Sequence, residues 1–258
     1  MFYLLNEGSI RPPLIAPLRS LVQEVVALAE KNNNSLKCAA LFGSVVGKDF
    51  IPKKSNINIL LIFDHIEIHI LKDLREPFKN NLPKFKTFPV VIDEEYIHRS
   101  GDVFPMEFLE WKEKHIHIYG DNLLRDIEVS FENLRLEVEE NLRGKKLRLI
   151  QAYFEIATGK AHLQSFLETT LPNFLVVFRN LLRLNNKPVP DDVPAMLDSL
   201  SEICGVHFPN VKRLFCLKTE ALKVKPNEAE ILFKGYLQEI TDVTRYVDNL
   251  KQLQGQDK

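Results

Sequence analysis

The sequence predicts an α+β protein, with a mixed α/β first half followed by an all-helical second half. Two observations carry this. Up to about residue 125, apolar runs of strand length alternate with helix-length segments and are bounded by turn residues. From about Asp126 the apolar residues take a helical period and keep it: Phe131, Leu134, Val138 and Leu142, then Leu149, Tyr153 and Ile156. The expected domains are residues 1–125 and 126–258.

Each element has its own signal. Behind Pro12, Pro13 and Pro17, the segment Leu18 to Lys31 places Leu21, Val25, Leu28 and Ala29 on one helical face. Asn32 to Ser35 breaks it, and Leu36 to Phe42 reads as a short buried strand ending at Gly43-Ser44. Asn56 to Phe63 reads as a second strand, Glu67 to Asn80 as a polar helix, and Thr87 to Ile92 as a third strand. Alternation in Pro105 to Trp111 suggests a strand with Glu107 on the face of Leu109 and Trp111. Ile116 to Tyr119 and the Gly120-Asp121 turn close the first half. In the second half, Pro172 opens an expected helix that is apolar nearly all round, Pro194 to Ile203 and Val211 to Leu222 are shorter helices, and Pro226 to Leu253 is a long amphipathic one.

The composition narrows the functional classes. With 45% hydrophobic and 27% charged residues in 258, the chain is globular rather than disordered. A net charge of -1 gives no global attraction to nucleic acid or an anionic membrane, so nucleic acid is not an expected partner. Cys38, Cys204 and Cys216 are odd in number and widely spaced, which suits neither a disulfide framework nor a zinc knuckle. No basic leader precedes the first apolar run and no segment is long enough to span a bilayer, so a cytoplasmic location is the expectation.

The stretch from Leu41 to Phe63 carries the chemistry. Gly43 lets backbone approach a ligand closely, and Ser44 adds a hydroxyl where a helical turn begins. Asn56 and Asn58 flank Ile57, so strand geometry puts both carboxamides on one face, and that face looks toward the turn if the two strands are neighbours.

This pattern of a Gly-Ser turn followed by two polar strand positions resembles the DNA polymerase β-like nucleotidyltransferase superfamily, of the kanamycin nucleotidyltransferase and minimal nucleotidyltransferase type. The resemblance implies a small mixed-sheet nucleotidyltransferase domain followed by a helical bundle. It also implies nucleotide binding by Gly43, Ser44, Asn56 and Asn58. In that family the paired positions are carboxylates holding Mg²⁺ over a nucleoside triphosphate. A third carboxylate comes from a later strand, and the resemblance assigns Glu107 to that position. Asn56 and Asn58 depart from the pattern, because Mg²⁺ is a hard cation and neutral amide oxygens do not offset its charge. The expectation is a nucleotide-binding protein with an impaired metal motif and no metal ligands of its own. An active Mg²⁺-dependent nucleotidyltransferase and a non-enzymatic interaction scaffold are the alternatives, with a homodimer or a protein partner expected through the helical half.

Other groups have simpler readings. His65 and His69 bracket Glu67 at a spacing that can hold a metal on a helix, but no third ligand is evident nearby and the expected reading is a solvated helix face. His115 and His117 alternate on the last strand. Arg143, Lys145, Lys146 and Arg148 form the densest basic cluster, with Glu137, Glu139 and Glu140 on the same helix. Lys48, Lys53 and Lys54 lie between turn and strand, where cations could approach phosphates. The Arg and His pair that minimal nucleotidyltransferase partners use for RNA cleavage is not found. Arg179 and Arg183 precede Asn185 and Asn186, and His162 and His207 have no arginine at the right distance upstream.

Overall fold

A computed structural model describes residues 2–47, 50, 55–83, 86–157 and 163–254. The chain divides into two compact units, Met1–Ser130 and Phe131–Lys258. The first contains α1 (Pro12–Lys31), β1 (Leu36–Phe42), β2 (Ile57–Phe63), α2 (Ile68–Asp73), α3 (Arg75–Asn81), β3 (Thr87–Asp93), α4 (Glu94–Arg99), α5 (Pro105–Glu113) and β4 (His115–Gly120). The second contains α6 (Phe131–Ala157), α7 (Leu163–Leu184), α8 (Val193–Cys204), α9 (Pro209–Thr219) and α10 (Pro226–Gln254). The α+β architecture expected from the periodicities is the one observed.

The four strands form a mixed sheet in the order β3-β2-β1-β4, with β1 antiparallel to both β2 and β4 and β2 parallel to β3. The two central strands are buried on both faces, which explains their near-continuous apolar runs. Alternation splits them between two cores. Ile57, Ile59, Leu61 and Phe63 join Leu18, Leu21 and Val25 of α1, together with Ile70, Leu74 and Phe78 beneath α2 and α3. Leu60 and Ile62 face the other way with Cys38 and Ala40, against Ile97 of α4 and Phe108 and Trp111 of α5. Burial pushes the Cys38 thiol up to about 11, so it stays protonated inside this core. Outside β4, the N-terminal segment covers the sheet edge, with Leu5 N–H donating to the Ile118 carbonyl and Asn6 to that of His117, both at 2.9 Å.

Three local expectations are corrected. Pro105–Trp111 is helical, not extended: Pro105 stands in the first turn with Glu107, and Phe108 and Trp111 are three apart, so both reach the sheet from one helical face. The polar segment after β2 forms two short helices, α2 and α3, meeting at Leu74. Pro172 lies inside α7 and does not open it. A proline has no N–H for the carbonyl four residues back, that of Glu168, and Lys218 Nζ of α9 donates to this carbonyl at 2.7 Å.

The helical unit has a buried polar joint. Glu239 of α10 is 6% exposed and accepts from Asn210 N–H at 2.8 Å, Asn210 Nδ2 at 2.7 Å and Val211 N–H at 2.9 Å, capping the start of α9. Gly235, one turn earlier on α10, leaves room for Asn210, whose Nδ2 would lie 2.3 Å from a Cβ there.

Candidate nucleotide-binding edge of the sheet

The candidate residues gather at one end of the sheet. β1 runs to Phe42, the chain turns left-handed at Gly43 with φ +74°, and a single 3-10 turn covers Gly43–Val45. Val46 N–H and Gly47 N–H return to the carbonyls of Gly43 and Ser44, both at 3.1 Å. Because β2 is antiparallel to β1, its first residues come back beside this turn, and Asn58 pairs with Phe42. A Cβ added to Gly43 would lie 2.7 Å from Asn58 Nδ2, so the strand carboxamide rests against the bare glycine. The expected meeting of turn and strand face is therefore present. Ser44, Asn56 and Asn58 are half-buried, and among the described residues no hydrogen-bond partner is provided to their side chains. Each keeps donor and acceptor capacity for something outside the protein.

The turn is braced from behind by a residue that sequence reasoning missed. Arg11, just ahead of α1, donates from Nε to the Val45 carbonyl at 3.3 Å and from Nη2 to the Gly47 carbonyl at 2.7 Å. Its guanidinium also lies 4.7 Å from the centre of the Phe50 ring. A lone arginine before Pro12-Pro13 carries no periodic or motif signal, so only the tertiary structure reveals this brace.

Glu107, expected on a strand, lies in the first turn of helix α5. On helix α5 it is solvent-exposed and near Tyr96, whose hydroxyl is pushed up by burial and then by the Glu107 charge. Trp111, one turn further along, is the residue that reaches Phe42, at 6.0 Å between ring centres. The strand positions paired across from Asn58 are Phe42 and Phe88, and Phe42 pairs in turn with His115. None of these is a carboxylate.

The two strand histidines are structural in their contacts. His115 Nε2 lies 3.1 Å from Asn122 Oδ1, while its Nδ1 is buried without a partner. His117 Nε2–H donates to the Tyr119 carbonyl at 2.9 Å, and burial lowers its pKa. His65 and His69 both contact Glu67, at 3.4 and 3.0 Å, on an exposed corner beside Asp64. Among the described residues no group of three or more His, Cys, Asp and Glu side chains is placed to hold a metal ion. In the basic cluster, Arg143 bonds Glu139 at 3.1 Å and Asp248 at 2.6 Å, so it serves the helical unit's own packing. Lys48, Lys53, Lys54 and His162 lie outside the described residues. No described helix is long and apolar enough to cross a membrane.

The fold is similar to that of a spectinomycin adenyltransferase from Enterococcus faecialis, solved with ATP and spectinomycin. The TM-score is 0.53 at 13% identity, over 89% of this chain and 98% of that one. No protein-family profile and no curated protein matches the sequence. At this identity the likeness shows a shared fold and nothing of activity.

Among the described residues, the side chain beside Gly43 and the strand positions paired with Asn58 do not fit a divalent cation such as Mg²⁺. Its usual ligands are carboxylates together with substrate phosphates, whereas the side chain beside Gly43 is the Asn58 carboxamide and the neighbouring strand positions are Phe42, Phe88 and His115.

Proposed function

We propose that this protein binds a nucleoside triphosphate at the Gly43-Ser44 turn and the Asn56–Asn58 strand, in a site whose metal-dependent transfer chemistry is impaired. The observation that carries the reading is the contact between the Asn58 carboxamide and Gly43, in a nucleotidyltransferase-like fold. In this reading the left-handed glycine lets phosphate oxygens approach the backbone, and the Ser44 hydroxyl donates to them. Arg11 keeps the turn in shape by occupying its rear carbonyls. Asn56 and Asn58 donate amide N–H groups where a carboxylate would repel a phosphate that arrives without metal. Without paired carboxylates the site lacks most of the electrostatic stabilisation that phosphoryl chemistry needs, a loss on the order of several kcal/mol of barrier lowering.

The test is equilibrium binding of ATP, GTP, CTP and UTP to the full chain, with and without Mg²⁺, compared with Ser44→Ala and Asn58→Leu. The expected result is binding that is indifferent to Mg²⁺ and weakened about tenfold or more by either substitution, from the loss of hydrogen bonds to a charged group. Binding unaffected by both substitutions, or no binding at all, would remove this site from the account.

A further inference from the structure

We infer that Arg11 is more than a brace: its charge makes the Gly43-Ser44 turn select nucleotides by the length of their phosphate chain. The inference rests on the binding site proposed above and gives that site its discrimination. Arg11 is positioned by the chain on either side of it. It stands between Ile10, which is 4% exposed, and the Pro12-Pro13 start of α1, whose first buried residue is Leu14. A residue before a proline is held extended, and Arg11 has φ -60° and ψ 127°. From this fixed point the half-buried side chain reaches the Val45 and Gly47 carbonyls, one and three residues beyond Ser44.

The two side chains that meet the turn come from opposite faces of the sheet. Val45 is 3% exposed in the core beneath α1, on the face that carries Ile57, Ile59 and Leu61. Asn58 alternates with those residues, so it lies on the face of Leu60 and Ile62. Their chemistry also differs. Asn58 offers hydrogen bonds and no charge. Arg11 engages two neutral carbonyls and the Phe50 ring, and among the described residues no carboxylate pairs with it. Other arginines are neutralised: Arg19 by Glu7, and Arg143 by Glu139 and Asp248. The Arg11 charge, partly shielded from water, therefore acts on whatever anion lies at the turn.

Hydrogen bonds alone would hold one phosphate of a monophosphate or a triphosphate about equally. A fixed charge discriminates, because its attraction grows with the charge of the ligand. The site's preferred class is then a nucleoside triphosphate over the diphosphate, and the diphosphate over the monophosphate.

The experiment is equilibrium binding of ATP, ADP and AMP to the full chain without divalent metal, at several salt concentrations. The natural protein is compared with Arg11→Gln and Arg11→Lys, each checked for unchanged circular dichroism. Glutamine keeps an amide donor for a carbonyl and loses the charge, whereas lysine keeps the charge and loses the fork. The expected result is affinity that falls from ATP to ADP to AMP, with a ratio that shrinks as salt rises. Arg11→Gln narrows the ATP-to-AMP ratio about tenfold, and Arg11→Lys preserves the ratio even where all three affinities drop. A purely structural Arg11 would lower all three nucleotides by one common factor in both variants, which would overturn the inference and leave the site standing. A natural protein that binds ATP and AMP alike, or whose ratio is flat with salt, would overturn it without recourse to any variant. No nucleotide binding by the natural protein would remove the site and the inference together.

Discussion

Two glycines with left-handed backbones test the site and the scaffold separately. At Gly120, with φ +76°, a Cβ would stand 1.9 Å from the Lys37 carbonyl oxygen, which also accepts from Asp121 N–H at 2.9 Å. Backbone cannot swing aside as a side chain can, so Gly120→Ala is expected to cost ~3 kcal/mol or more in denaturant unfolding. At Gly43 the obstruction is the far end of Asn58, which can move, leaving mainly the left-handed penalty. Gly43→Ala should cost about 1–2 kcal/mol while weakening nucleotide binding far more than Gly120→Ala does in whatever fraction stays folded. Equal losses of stability in the two variants would contradict this. Of the residues at this edge, Gly43, Ser44, Asn56 and Asn58 were legible because a tight turn and a two-residue alternation are local patterns. Arg11 was not, because its acceptors lie more than thirty positions away in sequence.

Among the elements, the α9 to α10 joint gives a pH dependence with a definite sign. Burial, outweighing the three N–H donors, raises the pKa of Glu239 above its ordinary carboxylate value of 4.5. A carboxyl with a raised folded-state pKa binds its proton more tightly when folded. Its contribution is therefore fully present below the ordinary value and is lost as pH rises through the folded value. Denaturant unfolding between pH 4 and 7 should show the protein losing stability relative to Glu239→Gln as the pH climbs out of the carboxylate range, and a difference that is flat with pH would contradict it. Helices α5 and α7 show where reading the sequence failed and why. Over seven residues, PMEFLEW satisfies strand alternation and helical spacing alike, and the Pro105 and Glu107 start signals were outweighed by the alternation. Pro172 was read as a beginning because an interior proline strands a carbonyl, and the compensating Lys218 is supplied from another helix.

For the molecule as a whole, the periodicity changes near Asp126 and the structure divides after Ser130. Sheet order and strand direction were not readable, since they follow from how α1 and α5 cover opposite faces of β1 and β2. In the proposed function this fold binds a nucleotide without a metal. Calorimetric titration of the full chain with ATP, with and without Mg²⁺, tests it most directly when repeated on Asn56→Asp/Asn58→Asp. The account predicts metal-indifferent binding by the natural protein and a gained dependence on Mg²⁺ in the double variant, because two carboxylates on that strand face would supply the hard anionic ligands now missing. Mg²⁺-dependent binding by the natural protein, or a double variant that remains indifferent to Mg²⁺, would contradict it.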